Sequence, residues 1–106
     1  MSIANEAVIW SAIHTMSDIR AGYSFFDFKE ADKHSACGLA IRALREKTSE
    51  PNIYTDDWDI TAVDIAIITL GNLRIKNITN LTRSEAIKLS IELLEEKRNE
   101  LEKKGV

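Results

Sequence analysis

The sequence of 106 residues has the length of one domain, and its composition, 44% hydrophobic and 29% charged, is typical of a globular protein. Four glycines and one proline are too few for an all-β domain, which needs many tight turns. A net charge of −3 argues against non-specific binding to nucleic acid, and a single cysteine excludes a disulfide within the chain. No segment has the pattern of a membrane span or a secretory signal, so we expect a cytoplasmic protein that does not contact membranes.

Hydrophobic periodicity predicts four helices joined by short connections. The predicted helices cover residues 3–20, 28–48, 60–76 and 82–104. The third segment is rich in β-branched residues, which favours a strand, but its length and the basic Arg74 and Lys76 at its end favour a helix. The sequence therefore predicts one compact, all-α four-helix domain spanning residues 1–106.

Local signals mark the ends of the first two helices. Gly22 is expected to end the first helix, as glycine often does. Asp27 and Glu30 have the spacing of a capping box at the start of the second helix. Phe26 and Ala31 lie where they would pack against each other as a hydrophobic staple.

The fourth helix has the clearest start signal in the chain. Thr82 and Glu85 form a second capping-box pattern, and Leu81 is placed to act as its staple residue. Farther along, Arg98 interrupts the apolar seam of this helix. The highly charged last turns are therefore expected to be solvated or to lie against a partner.

The loop before the third helix combines acidic residues with two aromatic residues. Its candidate partner-binding residues are Tyr54, Asp56, Asp57, Trp58 and Asp59. Aromatic side chains among acids are typical of a protein-contact patch in which the rings act as anchors. Two alternatives stay open: the aspartates cap the third helix, or with Asp64 they bind a divalent cation.

The third helix has a second apolar strip on the side away from its main face. Ile65, Ile68 and Ile75 form this strip, which is too large for scattered surface residues. Either the helix is central and covered on both sides, or a second subunit covers it. On the second alternative, Ile65 and Ile68 are the predicted self-association residues of a homodimer.

Two side-chain groups could carry chemistry. Glu30, His34 and Cys37 have the i, i+4, i+7 spacing of metal ligands or of a cysteine activated by a histidine, whereas Cys37 alone could be a small buried apolar residue. His14 and Asp18 have the spacing of an oriented general base or of a surface pair. Because the sequence has no glycine-rich phosphate loop, paired cysteine motif or nucleophile elbow, we expect no metal, no cofactor and no enzymatic activity.

Two stretches resemble known proteins. Residues 81–91, LTRSEAIKLSI, resemble the second helix of ribbon-helix-helix DNA-binding regulators, a likeness that implies DNA recognition through the helix 82–104. Residues 36–47, ACGLAIRALREK, with Pro51 following, are similar to stretches in small helical proteins of phages and prophages. That likeness implies an origin in a mobile element.

These observations favour a non-enzymatic module that binds another protein. The acidic aromatic loop and the second apolar strip are both typical of contact surfaces. The likeness to small phage and prophage proteins implies that such a module inhibits or regulates a larger host protein. A DNA-binding regulator that uses the fourth helix and a metal-binding helical protein are the alternatives.

Overall fold

The computed structural model describes residues 5–50 and 58–104. Its helices are α1 (Glu6–Ala21), α2 (Ala31–Arg45), α3 (Ile60–Lys76) and α4 (Leu81–Lys104). The predicted all-α four-helix domain is confirmed. The α3 bounds equal the predicted ones, whereas α1 and α2 are shorter than predicted and α4 begins one residue earlier.

The four helices form an up-and-down bundle. Each helix contacts its neighbours in sequence, and α1 also contacts α4. The α1–α2 loop and the α3–α4 turn lie at the same end, because Lys29 and Lys33 at the start of α2 line one groove together with Ile75 and Lys76 at the end of α3. α2 and α4 contact each other across one diagonal, whereas α1 and α3 stay apart across the other diagonal within the described residues.

Side-chain size explains why α2 and α4, rather than α1 and α3, contact each other across the bundle. The buried small residues of the close pair are Ala36, Cys37, Ala40 and Ala43 of α2 and Ser84, Ala86 and Ser90 of α4. Small side chains let two helices approach closely. The larger buried side chains, including Ile9 and Met16 of α1 and Leu70 and Leu73 of α3, fill the core from either side of that contact.

The buried serines of α4 have hydrogen-bond partners. The Ser90 hydroxyl donates to the carbonyl oxygen of Ala86 at 2.8 Å, and the Ser84 hydroxyl oxygen accepts from Arg74 Nε at 3.3 Å. A buried hydroxyl without such a partner would destabilise the core. The α2–α4 contact therefore accommodates polar residues without an unpaired group at either serine.

Helix caps agree with prediction at two positions and differ at a third. Gly22 follows α1 directly, as predicted, and Asp59 caps α3 by accepting a hydrogen bond from the Thr61 N–H at 3.1 Å. The predicted Thr82 cap of α4 is wrong, because Asn80 Oδ1 accepts from the Arg83 N–H. Leu81 is therefore the first residue of the helix, and its exposed side chain is not a staple.

None of the helices in the described part of the chain is long and apolar enough to span a membrane.

Candidate functional site

The predicted acidic contact loop is only partly described. Tyr54, Asp56 and Asp57 lie outside the described residues, so the contact, capping and metal interpretations of these three stay predictions. The prediction that at least one aspartate caps α3 is confirmed at Asp59. That role uses one Asp59 carboxylate oxygen and fixes the residue at the start of the helix.

The Trp58 side chain packs against its own bundle. Its indole Nε1–H donates to Glu46 Oε2 at 3.0 Å, and the Arg42 guanidinium carbon and Lys97 Nζ lie 4.3 Å and 5.2 Å from the ring centroid. Cations at such distances are attracted to the electron-rich face of an aromatic ring. The half-buried indole thus joins the start of α3 to α2 and α4, and whether it also contacts a partner stays a prediction.

Glu46 connects the indole to an ion pair. Its second oxygen, Oε1, lies 2.9 Å from Lys97 Nζ, which also contacts Glu100 at 3.3 Å. Partial burial by itself lowers the pKa of Lys97, but hydrogen bonds and charges from Glu46 and Glu100 outweigh it and raise the pKa above its usual value. Lys97 therefore stays charged beside the Trp58 ring at neutral pH.

The Glu30, His34 and Cys37 side chains do not form a common site. Glu30 Oε1 accepts from the Ser24 N–H at 3.1 Å, and His34 Nε2 accepts from Arg20 Nε–H at 3.3 Å. Cys37 is fully buried, and this burial raises its pKa to about 11 although the Arg20 charge opposes the shift. The thiol is therefore protonated at neutral pH and is neither a nucleophile nor a ready metal ligand.

The other chemical candidates are also dispersed. Nowhere in residues 5–50 and 58–104 do three or more His, Cys, Asp or Glu side chains converge to hold a metal ion. His14 and Asp18 are both exposed on α1. A groove of about 340 Å³ runs between α1 and α4, but its described lining includes neither of them.

Among the residues that the structure describes, the most exposed aromatic side chains lie in the loop between α1 and α2. Phe26 and Phe28 are each 95% exposed, and Phe25 is 60% exposed. The predicted staple between Phe26 and Ala31 is therefore wrong. The spacing of Phe26 and Ala31 is the same whether the ring packs against the helix or points to solvent, so the local pattern alone does not distinguish a staple from an exposed ring.

Hydrogen bonds hold the backbone of this loop. The Ser24 hydroxyl oxygen accepts from the N–H groups of Phe26 and Asp27 at 3.1 and 3.2 Å, and Asp27 Oδ1 accepts from the Lys29 N–H at 2.9 Å. The predicted capping box is therefore incorrect in detail, since Glu30 reaches back to Ser24 rather than to Asp27. The bonds fix the backbone while the rings stay in contact with solvent.

Further apolar residues are exposed at the same end of the bundle. Ile78 and Leu81 lie at the α3–α4 turn and are 63% and 73% exposed. We call the five residues Phe25, Phe26, Phe28, Ile78 and Leu81 the aromatic end. Such a concentration of large exposed apolar side chains is unusual for a surface without a binding role.

Charge is distributed unevenly between this end and the remaining chain. Segments 20–34 and 74–88, which form the end, carry seven basic and four acidic side chains. The other residues of the sequence carry seven basic and 13 acidic side chains. The aromatic end is therefore surrounded by net positive charge in a protein that is negative as a whole.

The second apolar strip of α3 is exposed. Ile65, Ile68 and Ile75 have 50–70% of their surface in contact with solvent, so the alternative in which α3 is covered on both sides within the described chain is wrong. Arg98 contacts Asp64 of α3 at 2.5 Å and Glu102 at 2.7 Å. These ion pairs within one chain explain why the charged Arg98 occupies the apolar seam of α4. Self-association through Ile65 and Ile68 stays a prediction.

No family model, no curated protein and no solved structure matches the chain. The likenesses to phage helical proteins and to ribbon-helix-helix regulators therefore stay predictions.

Proposed function

We propose that the protein is a non-enzymatic helical module that binds another protein through its aromatic end and thereby regulates or inhibits it. One observation carries the proposal: Phe26 and Phe28 are almost fully exposed on a loop whose backbone is held by side-chain hydrogen bonds. Burying a phenylalanine side chain contributes about 1.5–3 kcal/mol. Aromatic rings presented on an ordered backbone lose little conformational entropy on binding, which is what an interface anchor requires.

The charge around the aromatic end specifies the chemistry of the partner. An apolar pocket bordered by acidic side chains complements three phenylalanines surrounded by net positive charge. Complementary charge accelerates association and disfavours basic partners. We therefore propose an acidic protein surface with an aromatic-accepting pocket as the occupant.

The outward side of α4 supports a protein partner over DNA. The exposed charged side chains along its first four turns are Arg83, Glu85, Lys88, Glu92 and Glu95. These three acids outnumber the two bases, whereas a helix that binds DNA needs an excess of basic side chains to neutralise the phosphate backbone. The buried, protonated Cys37 and the separated Glu30 and His34 likewise favour binding over catalysis.

Site-specific photo-cross-linking in the cells that make the protein tests the proposal. A photoreactive residue at Phe28 is expected to form a protein adduct, whereas the same residue at exposed His14, on the middle of α1, is not. Mass spectrometry identifies the adduct, and the purified partner then allows affinity measurements by titration calorimetry.

The affinity measurement compares matched surface variants. Phe26→Ser combined with Phe28→Ser is expected to weaken binding at least about 30-fold, as loss of an aromatic anchor does. Val8→Ser, which changes an exposed apolar residue of α1, is expected to leave affinity within about twofold. Unchanged affinity of the double variant, or binding only to lipid vesicles with no protein adduct, contradicts the proposal. Loss of affinity in Trp58→Phe alone would assign the contact to the opposite end of the bundle.

A further inference from the structure

The exposed side of α3 has the spacing of a coiled-coil seam. Its residues alternate in steps of four and three, which is the spacing of positions a and d in a heptad. The seam consists of Thr61, Ile65, Ile68, Asn72 and Ile75, all of them exposed. In this register Ile65 and Asn72 occupy position a, and the other three occupy position d.

This seam is distinct from the side of α3 that faces the core. Val63, Ala66, Leu70 and Leu73 form the buried side. At 100° per residue the centres of the two sides lie about 160° apart around the helix. Because α3 contacts α2 and α4 but not α1, its outer side is open to a second helix within the described residues.

We infer that α3 pairs in parallel with α3 of a second copy of this chain around a two-fold axis. Parallel pairing places each seam residue opposite its own counterpart, so Asn72 meets the partner's Asn72 and the two amides can hydrogen-bond to each other. In an antiparallel pair position a faces position d, so Asn72 would face the partner's Thr61 or Ile68, depending on the register, and never its own counterpart. Facing Ile68 would leave its amide buried without a partner, at a cost to stability. An asparagine at position a therefore favours the parallel pair, in which the two identical amides meet.

The charges beside the seam are compatible with an identical partner. The seam carries no charge, and the adjacent Ala62, Thr69 and Gly71 are also uncharged. Two charged residues of α3 border it: Asp64, which is paired with Arg98 of its own chain, and Lys76, which lines a groove with Lys29 and Lys33. In a parallel pair Asp64 faces the second copy's Thr69 and Lys76 faces its Gly71, so these two charges do not meet like charges across the seam.

The length of the seam sets the strength of the pairing. The 17 residues of α3 span about 25 Å, and two short heptads bury less area than the 1,200–2,000 Å² typical of stable interfaces. We therefore expect a dimer that dissociates in the micromolar range rather than a permanent one. The seam lies outside the aromatic end, so this inference and the proposed function fail or hold independently.

Sedimentation equilibrium over a range from micromolar to near-millimolar concentration tests the inference. The unmodified chain is expected to change from monomer to dimer with rising concentration. Ile68→Lys places a charge in the seam and is expected to stay monomeric throughout. Val8→Lys alters an exposed apolar residue of α1, outside both the seam and the aromatic end, and is expected to dimerise as the unmodified chain does. A monomer at every concentration, or a dimer that persists in Ile68→Lys, overturns the inference.

A cysteine variant tests the parallel register. Asn72→Cys is expected to form a disulfide-linked dimer under mild oxidation, because matching positions face each other across a parallel pair. Glu92→Cys, on the exposed side of α4, serves as the control and is expected to stay unlinked, as is the native buried Cys37. Dimerisation without a link through position 72 overturns the parallel arrangement.

Discussion

Replacing Trp58 by alanine tests whether its indole belongs to the fold. The change removes the 3.0 Å hydrogen bond to Glu46, the cation–π contacts with Arg42 and Lys97, and the packing of a half-buried ring. Because the site is partly exposed, each cation–π contact contributes about 0.5 kcal/mol, the hydrogen bond about 1 kcal/mol and the ring contact about 1 kcal/mol. We therefore expect the free energy of unfolding to fall by about 3 kcal/mol.

The loss is measured by chemical denaturation followed by circular dichroism, since removal of a tryptophan alters fluorescence. A decrease of about 3 kcal/mol corresponds to a melting temperature lower by roughly 12 °C in a domain of this size. Trp58→Phe keeps an aromatic ring but removes the N–H donor to Glu46, so it is expected to cost only about 1 kcal/mol. If the free energy of unfolding of Trp58→Ala lies within about 0.5 kcal/mol of that of the unmodified chain, the structural role of the indole is refuted and the ring is free to act as a partner anchor.

Two further predictions concern glycines within helices and the buried thiol. Gly71→Ala and Gly38→Ala are each expected to raise the free energy of unfolding in urea by about 0.5–1 kcal/mol, because the added methyl group meets nothing within 4 Å and alanine favours a helix; a destabilised variant would contradict this. The raised pKa of Cys37 predicts stability that is complete below pH 9.0 and falls as pH rises to about 11, since the unfolded chain releases the thiol proton first. Over this range the free energy of unfolding is expected to fall by roughly 3 kcal/mol. In Cys37→Ala, denaturation at several pH values should show a smaller decrease of the free energy of unfolding with pH. An equal decrease in both proteins would assign the effect to other groups, such as Tyr23 and Lys97.

Local signals predicted α3 well because its boundaries depend on neighbouring residues. Asp59 caps the first turn, and basic residues occupy the last turn. The start of α4 has the clearest signal in the sequence, yet the Thr82 pattern predicts it one residue too late, because Asn80 is also a good cap and is the one that is used. The start of α2 was misplaced because Glu30 bonds to Ser24, six residues earlier, instead of completing a capping box with Asp27.

The candidate surfaces were harder to predict because exposure depends on distant parts of the chain. Trp58 looked like an exposed anchor within its loop, yet its partners come from α2 and from Lys97 of α4. Phe26 looked like a staple because local spacing cannot reveal that the ring points to solvent. The α3 strip was found in the sequence because helical periodicity alone separates it from the buried side.

The exposed apolar residues require an explanation that folding does not supply. The core is built around the close α2–α4 contact, with larger side chains from α1 and α3 on either side, and the rings of Phe26 and Phe28 take no part in it. A ring that is 95% exposed in the folded chain gains almost nothing on folding, whereas it increases the risk of non-specific association in water. The same reasoning applies to Ile68 and Ile75, which lie on the side of α3 that no other helix of the described chain covers. Binding that buries these side chains gives them a role, which is why both proposed contacts involve residues that the fold itself leaves exposed.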